Sequence, residues 1–384
     1  MKKICSITTT ANSMESFLLP EAIALKADGW ESHIITNMNK KVESILPEGL
    51  KYYSIPMERT YNLRIAISTI IKMYRIFRKE KYDLVQYGTT HACLFGSIAA
   101  WLARVPARVF LQWGPIGYAD YTGIRRFALL NVERLIGKLS THIRTVSRKN
   151  LNSSVDDNLY PRDKASVVGE GGTIGVDLNR YDLHKKLEYR KEIRSKYEIS
   201  MNEFVFGYVG RICKPKGSNE LIEAFRELKS GEYTLMLIGD IESGFDHNLE
   251  EWAKQSSKVV MTDRISYDDV SKYMSALDIL VHPTYREGFG MVLQECMAME
   301  VPAITTNIPG PSEVIVDGVT GILVPVQNTE KLKEAMQFTC THPEELKKMG
   351  VHGRKRVEDY FERNVRLSLL VEDKNQIYNQ LKTK

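Results

Sequence analysis

The sequence predicts an α/β protein made of two doubly wound parallel sheets that face a central cleft. Short apolar runs alternate along the chain with longer segments whose apolar residues recur at helical spacing, as in strands followed by amphipathic helices. A glycine-rich stretch, GEGGTIGVDLNR, interrupts this alternation, which then resumes. The length of 384 residues also suits two or three domains.

In the first half of the chain, short apolar runs have the length and composition of strands. They lie at 2–8, 32–36, 51–55, 83–88, 107–113 and 142–147. Segments between them have the periodicity of helices, at 17–29, 63–80, 94–104 and 125–139. Because strands and helices alternate, we expect parallel strands with helices on both faces of the sheet.

The same alternation returns in the second half, after a charged helical segment at 183–197. Strands are predicted at 204–210, 233–240, 258–263, 279–283, 302–306 and 321–326. Helices are predicted at 219–228, near 247–255, and at 267–277, 290–299 and 365–384.

The elements divide into two Rossmann-like domains, residues 1–172 and 173–364, with a boundary in the glycine-rich stretch at 172–180. Sheets of this type bind ligands beyond the carboxyl ends of their strands. We therefore expect a ligand site in the cleft between the two domains.

Composition narrows the class of protein. Hydrophobic residues make up 43% and charged residues 26% of the chain, and the longest apolar run, 94–103, is too short to span a bilayer. The N-terminal sequence MKKICSITTTANS predicts a first strand and not a signal peptide. The five cysteines form no CxxC pair, which argues against a zinc site or a disulfide framework and favours a reducing, cytoplasmic location.

Charge is divided unequally between the halves. Residues 1–172 contain 24 Lys and Arg against 15 Asp and Glu, a net charge of +9, whereas the remainder contains 29 against 33, a net charge of −4. A basic half suggests an anionic partner, such as a membrane surface, a phosphate or a nucleic acid, and solvated charge without a role is the alternative. Since the sequence contains no nucleic-acid recognition module, we expect no nucleic-acid partner.

One loop of the second half contains two candidate anion-binding residues. The segment VGRICKPKGSNELIEAF places Arg211 and Lys216 between a predicted strand and the N-terminus of a helix. Two cations beside a helix N-terminus can hold a diphosphate. A solvated basic loop is the alternative.

The segment YREGFGMVLQE predicts a strand end, a tight turn and the start of a helix. Gly288 and Gly290, on either side of Phe289, permit the turn and a close approach of the backbone to a ligand. Glu287 can accept hydrogen bonds from sugar hydroxyls, and Glu295, more than one turn along the helix at about 1.5 Å per residue, suits a ribose. Unless the pair arises by chance, the two carboxylates predict contacts to both ends of one sugar nucleotide.

These segments, with PAITTNIPGPSEVIVDGVTGILVPV, resemble the retaining glycosyltransferases of family 4, which have the GT-B fold. The resemblance covers most of residues 205–330. It implies catalytic or diphosphate-binding roles for Arg211 and Lys216, donor-sugar contacts for Glu287 and the backbone of Gly288, Phe289 and Gly290, a ribose contact for Glu295, and base contacts near Arg264 and Ile265. It also implies that residues 1–172 bind the acceptor, that residues 173–364 bind the nucleotide sugar, and that the last helix, at about 365–384, packs back onto the N-terminal domain.

The first half matches the family less closely. After the first strand, Ala11 and Asn12 are expected near the donor phosphate, although family members often have glycines in this loop. A histidine–glycine pair often follows the strand equivalent to 107–112, where this chain has Trp113 and Gly114. His91 is the candidate for the catalytic-side histidine, and a histidine without a catalytic part is the alternative.

The segment YREGFGMVLQE is most similar to the corresponding segment in the branch of the family that builds bacterial surface polysaccharides (capsule, O-antigen and lipopolysaccharide) and lipid-linked oligosaccharides. This similarity implies retaining transfer of a hexose or N-acetylhexosamine from a UDP-sugar to a glycan acceptor on a polyprenyl diphosphate. Fixed cations can stabilise the leaving diphosphate. Since the chain contains no D-x-D pattern, we expect no metal and no cofactor, the UDP-sugar being a co-substrate.

The segment 61–81 predicts a basic amphipathic helix. Ile70, Met73, Tyr74 and Phe77 are spaced to pack on the helix's own sheet. Its cations can face anionic lipid head groups: Arg64, Lys72, Arg75, Arg78 and Lys79. Together with the segment 124–138, these cations predict that the protein associates peripherally with the inner face of the cytoplasmic membrane.

Other functions remain open on the same architecture. A nucleotide-sugar 2-epimerase shares it but generally lacks the surroundings of the E-x7-E pattern that Glu287 and Glu295 form here. A non-catalytic nucleotide-sugar-binding partner of another transferase is compatible with the altered TTTANSMES loop and the missing histidine–glycine pair.

Overall fold

The computed structural model describes residues 1–57, 62–114, 122–228, 233–245, 249, 251–252, 256 and 258–383. These residues form two compact units, Met1–Ile174 with Asn364–Lys384, and Gly175–Arg363. Each unit is an open parallel sheet with helical connections, so the prediction of two Rossmann-like domains is confirmed.

The first unit contains a seven-stranded sheet. Its strands are β1 (Lys2–Thr10), β2 (Trp30–Asn37), β3 (Lys51–Ser54), β4 (Leu84–Tyr87), β5 (Ala107–Gln112), β6 (His142–Thr145) and β7 (Ala165–Val167). They are parallel, in the order β3-β2-β1-β4-β5-β6-β7. The order reverses between β1 and β4, and in open α/β sheets ligands bind beside such a reversal.

The helices of the first unit follow its strands. They are Ala11–Ser13, continued by a π-helical turn at Met14–Leu18, then Leu19–Ala27, Lys40–Ser44, Leu63–Glu80, Thr90–Leu102, Gly123–Leu139, Arg148–Asp156 and the last helix, Arg363–Lys382. The sequence analysis did not predict β7 or the helix Arg148–Asp156, because a strand of three residues and a largely polar helix carry little apolar periodicity.

The last helix packs against the sheet of the first unit. Ile377 is buried in a core cluster with Leu25, Trp30 and Leu84, and the ring of Tyr378 lies edge-on to that of Trp30. The helix also buries charge, since Lys374 Nζ lies 3.2 Å from Glu21 Oε1. Apolar contacts and a buried ion pair therefore attach this helix to the N-terminal sheet.

The second unit contains a six-stranded sheet. Its strands are β8 (Phe204–Val209), β9 (Tyr233–Ile238), β10 (Val259–Thr262), β11 (Ile279–His282), β12 (Ala303–Thr306) and β13 (Gly321–Val324). They are parallel, in the order β10-β9-β8-β11-β12-β13. Here the order reverses between β8 and β11, the strands that precede the two loops selected from the sequence.

The described α-helices of the second unit are Lys186–Lys196, Ser218–Arg226, Val270–Ala276, Met291–Ala298, Pro311–Val314, Thr329–Thr341 and Pro343–Arg356. The helix predicted near 247–255 falls mostly outside the described residues. The helices over 329–356 were not predicted from the sequence, although their buried residues recur at helical spacing, as Leu332, Ala335 and Met336 do in the first of them. Within the described ranges, no helix combines the length and apolar character needed to cross a lipid bilayer.

We predict that Lys374→Met destabilises the first unit. Burial lowers the pKa of Lys374, but Glu21 and Asp373 outweigh it, so the ammonium is held in its charged form. Loss of one partner of a buried ion pair leaves an unpaired charge and typically costs about 3–5 kcal/mol. Urea unfolding should show a loss of this size, and the double variant Glu21→Gln/Lys374→Met should regain much of it. A double variant no more stable than Lys374→Met would contradict the pairing.

Candidate active site

The two predicted ligand loops of the second unit contact each other. They follow β8 and β11, and the backbone N–H of Tyr285 donates to the carbonyl of Pro215 at 3.0 Å. Gly217 has a φ of +70°, and a Cβ at this position would lie 2.0 Å from the carbonyl oxygen of Pro283. A side chain at position 217 would therefore push the two loops apart.

Lys216 and Glu287 form an ion pair between these loops. Lys216 Nζ lies 2.5 Å from Glu287 Oε2, and His282 Nε2 lies 3.4 Å from the same oxygen. The other carboxylate oxygen, Oε1, accepts the backbone N–H of Gly288 at 3.2 Å. The structure thus brings together two of the predicted donor-binding residues.

The carboxylate of Glu287 is held in its charged form. Burial raises its pKa, but the hydrogen bond from His282 and the charge of Lys216 outweigh burial and lower it to about 2. Glu287 is therefore a hydrogen-bond acceptor at neutral pH, as the recognition of sugar hydroxyls requires.

Arg211 belongs to the same loop but has a different ion-pair partner. Its exposed guanidinium lies 2.5 Å from the carboxylate of Glu242, which follows β9. Its backbone carbonyl accepts the Tyr208 hydroxyl at 2.6 Å, which fixes the loop at the end of β8. The guanidinium therefore lies at the same edge of the sheet as Lys216, since the carboxyl ends of parallel strands share one edge.

Glu295 lies in the helix Met291–Ala298, which begins after Gly290 in a left-handed conformation with φ of +95°. Its carboxylate is buried, and its neighbours differ from those of Glu287: Tyr181, Tyr267, Arg180 and Arg363. Burial raises the pKa of Glu295, and these hydroxyls and cations oppose the rise. The structure thus separates the surroundings of the two glutamates, as two ends of one elongated ligand would require.

The other predicted residues of this unit are Phe289, Arg264 and Ile265. Phe289 is buried with its ring 5.6 Å from that of Phe361, so only its backbone is available to a ligand. Arg264 and Ile265 follow β10, and the Arg264 N–H donates to Asp240 Oδ1 at 3.2 Å. The Arg264 side chain is exposed, and its contact with the nucleotide base stays a prediction.

The predicted residues of the first unit lie at the carboxyl ends of its central strands. Ala11 is buried and Asn12 exposed directly after β1. His91, in the first turn of the helix after β4, is half-buried with its ring 5.9 Å from that of Phe95. The ring of Trp113, which stands where the family often has histidine, lies 4.9 Å from that of Phe17.

One group of three possible metal ligands occurs among the described residues. Ligand atoms of Glu31, His33 and Glu80 lie within 4.8 Å of one another. Lys3 Nζ, however, lies 2.8 Å from Glu31 Oε1 and 2.6 Å from Glu80 Oε2. Lys51 Nζ also lies 2.6 Å from Glu80 Oε1. Two ammonium groups thus neutralise the two carboxylates, so we interpret the group as a structural ion-pair network.

Comparisons with known proteins agree with this architecture. The family described as "Glycosyl transferases group 1" matches residues 189–356, and "Glycosyl transferase 4-like" matches residues 3–134. The chain is 31% identical to the capsular polysaccharide biosynthesis glycosyltransferase CapM of Staphylococcus aureus, over 94% of this chain and 93% of CapM.

Two further proteins extend the comparison. The UDP-Gal:α-D-GlcNAc-diphosphoundecaprenol α-1,3-galactosyltransferase of Escherichia coli is 21% identical, over 83% of this chain and 82% of its own. The crystal structure of Anabaena HepE in complex with UDP and glucose superposes with a TM-score of 0.81 at 17% identity, covering 98% of this chain and 100% of HepE.

The two open parallel sheets define a fold of the GT-B type. The chain belongs to the group 1, GT4-like glycosyltransferases.

We predict that the stabilising effect of Glu287 depends on pH. Its pKa is lowered from 4.5 to about 2, so its charge stabilises the fold above pH 4.5 and this contribution is lost as the pH falls through about 2. The difference in unfolding free energy between the wild type and Glu287→Gln should therefore change as the pH falls from 5 to 2. Glu345→Gln, at an exposed position, is the matched control. A difference that stays constant down to pH 2 would contradict the lowered pKa.

Proposed function

We propose that this glycosyltransferase moves a hexose or N-acetylhexosamine from a UDP-sugar to a glycan on a polyprenyl diphosphate, with retention of anomeric configuration and without a metal ion. The observation that carries the proposal is the Lys216–Glu287 pair, built from two loops at the strand reversal of the second sheet. A cation for the diphosphate and a carboxylate for the sugar hydroxyls are thus adjacent.

The printed names of relatives support the donor and the acceptor. CapM acts in capsular polysaccharide biosynthesis, and the E. coli relative transfers galactose from UDP-galactose to a diphosphoundecaprenol-linked acceptor. We infer the same classes of substrate here, with surface polysaccharide as the product.

The proposed chemistry requires stabilisation of opposite charges. Departure of the diphosphate leaves positive charge on the sugar ring and negative charge on the leaving oxygen. Lys216 and Arg211 would stabilise the leaving oxygen, and the carboxylate of Glu287 would orient the sugar through its hydroxyls. We propose retention by attack on the same face that the diphosphate leaves, with the leaving phosphate accepting the proton of the acceptor hydroxyl.

The helices of the first unit present a surface suited to an anionic membrane. Leu63–Glu80 and Gly123–Leu139 both pack against Thr90–Leu102, on one face of the sheet. Besides its buried face, the helix Leu63–Glu80 exposes apolar residues that the sequence analysis did not select: Leu63, Ile65, Ile67 and Ile71. In Gly123–Leu139, Ile124 is 87% and Phe127 65% exposed.

Exposed cations lie among these apolar residues: Arg64, Lys72, Arg75, Arg78, Lys79, Arg125, Arg126 and Lys138. The acidic residues of the two helices are not exposed, since Glu133 is buried and Glu80 binds Lys3 and Lys51. Apolar side chains that insert and cations that bind head groups are the two requirements of an interfacial surface. We propose that this face holds the enzyme at the membrane that contains its lipid-linked acceptor, on the cytoplasmic side.

The substrate proposal is tested with a panel of UDP- and GDP-sugars, with and without polyprenyl-diphosphate-linked acceptors and with EDTA present. We expect transfer from a UDP-sugar with the anomeric configuration retained in the NMR spectrum of the product. Arg211→Ala/Lys216→Ala should reduce kcat/KM at least about 10³-fold, because a single preorganised donor is worth about 10²–10³. Glu295→Ala should chiefly raise the KM for the donor.

Three other outcomes of these experiments would contradict the proposal. Near-normal transfer by Arg211→Ala/Lys216→Ala, with an unchanged melting temperature, would remove the assigned diphosphate site. A donor returned with a changed sugar would indicate an epimerase, and donor binding without turnover would indicate a non-catalytic partner.

Flotation with liposomes tests the membrane proposal. We expect binding that requires anionic lipid and weakens with salt. Each cation near such a surface contributes about 1 kcal/mol, so the loss of two in Arg64→Ser/Lys72→Ser should weaken binding about 30-fold. Lys347→Ser/Lys348→Ser removes two exposed cations from the second unit and is the matched control. Equal binding to neutral and anionic liposomes, or equal weakening by both variants, would contradict the proposal.

A further inference from the structure

Two buried residues that the sequence analysis did not select connect the diphosphate-binding loop to Glu287. The Tyr208 hydroxyl donates to the Arg211 carbonyl at 2.6 Å. The Tyr208 ring stacks on that of His282, with centroids 6.2 Å apart and planes inclined by 29°. His282 Nε2 then lies 3.4 Å from the Glu287 oxygen that Lys216 also contacts. A continuous set of contacts thus joins Arg211 to Lys216.

The imidazole of His282 has a fixed position. It is the last residue of β11, its side chain is buried, and its carbonyl accepts the Thr305 hydroxyl of β12 at 2.8 Å. Strand pairing also places His282 opposite Thr305. A side chain held by a central strand can fix a neighbouring group more rigidly than a loop residue can.

The contacts also define which ring nitrogen carries the proton. Glu287 is ionised and accepts hydrogen bonds, so the proton must lie on Nε2 of His282. The other nitrogen, Nδ1, is buried and has no hydrogen-bond partner among the described residues. Burial also lowers the pKa of His282, which favours the neutral ring. His282 is therefore a neutral donor whose single N–H points to Glu287.

Lys216 and His282 differ in what they do when a donor is bound. The proposed function gives the Lys216 ammonium a second anion, the diphosphate, and a flexible lysine side chain can turn toward it. Glu287 would then lose its closest partner. His282 has one N–H and a rigid position, so its bond to Glu287 remains.

We infer that His282 is a positioning residue that holds the Glu287 carboxylate in place for the donor sugar while Lys216 binds the diphosphate. The inference rests on the proposed function and adds to it the residue on which the orientation of Glu287 depends. The same contact connects Glu287 through Tyr208 to the Arg211 backbone, so the sugar and diphosphate contacts share one rigid support.

Three substitutions at position 282 test this inference. In His282→Gln the amide N–H can reach the place of Nε2, whereas in His282→Asn the amide lies at the place of Nδ1 and cannot reach Glu287. His282→Leu has a similar volume and no donor. We expect kcat to fall about 10–100-fold in the Leu and Asn variants, the usual effect of losing an orienting partner. The Gln variant should keep kcat within about fivefold of the wild type.

The pH dependence of kcat/KM separates positioning from a purely structural role. Among the described side chains, Lys216 and His282 act most strongly on the Glu287 charge, and the buried Tyr208 also interacts with it. Without the His282 hydrogen bond the pKa of Glu287 should rise, so the acid limb of the profile should move to higher pH in the Leu and Asn variants and stay in place in the Gln variant. Melting temperatures report the structural contribution independently.

The outcomes are distinguishable. If the wild type is active and the Gln and Asn variants have the same kcat and the same acid limb, the inference is overturned. This outcome is decisive even if the Leu variant fails to fold. A wild type that transfers no sugar from any donor would instead overturn the proposed function on which the inference rests.

Discussion

The site depends on one constraint, the reversal of strand order between β8 and β11 in a parallel sheet. Parallel strands bring their carboxyl ends to the same edge, and the reversal separates the connecting helices there, so that two loops distant in sequence can face one ligand. Lys216 and Glu287 meet across this point at 2.5 Å. Gly217 makes the approach possible, because any side chain there would collide with the Pro283 carbonyl.

Each of the two predicted diphosphate-binding cations is paired with a carboxylate. Lys216 is paired with Glu287 and Arg211 with Glu242. Unpaired cations at one edge would repel each other, and unpaired buried carboxylates would shift toward the neutral form. A bound diphosphate would therefore compete with carboxylates for both cations. Under the proposed function, the contact from His282 to Glu287 would not take part in this exchange of partners.

Much of the fold could be predicted from local patterns. Apolar runs predicted every described strand except β7, and helical periodicity predicted helices such as Leu63–Glu80, Gly123–Leu139 and Arg363–Lys382. The strand β7 was missed because three residues carry too little pattern, whereas the helices over 329–356 were missed although their buried residues recur at helical spacing. Exposed apolar residues such as Ile67 and Phe127 were missed because the sequence does not show which face of a helix remains uncovered.

The sequence by itself determined the two-domain α/β architecture and the residues at the strand ends, because strand periodicity and glycine turns are local properties of the chain. The pairing of these residues was decided only by the tertiary structure. It joined Lys216 to Glu287, gave Arg211 a partner in Glu242, and surrounded Glu295 with residues from other elements. It also placed His282 in the site, since the ring of a strand residue acquires its neighbours only when strands distant in sequence lie side by side.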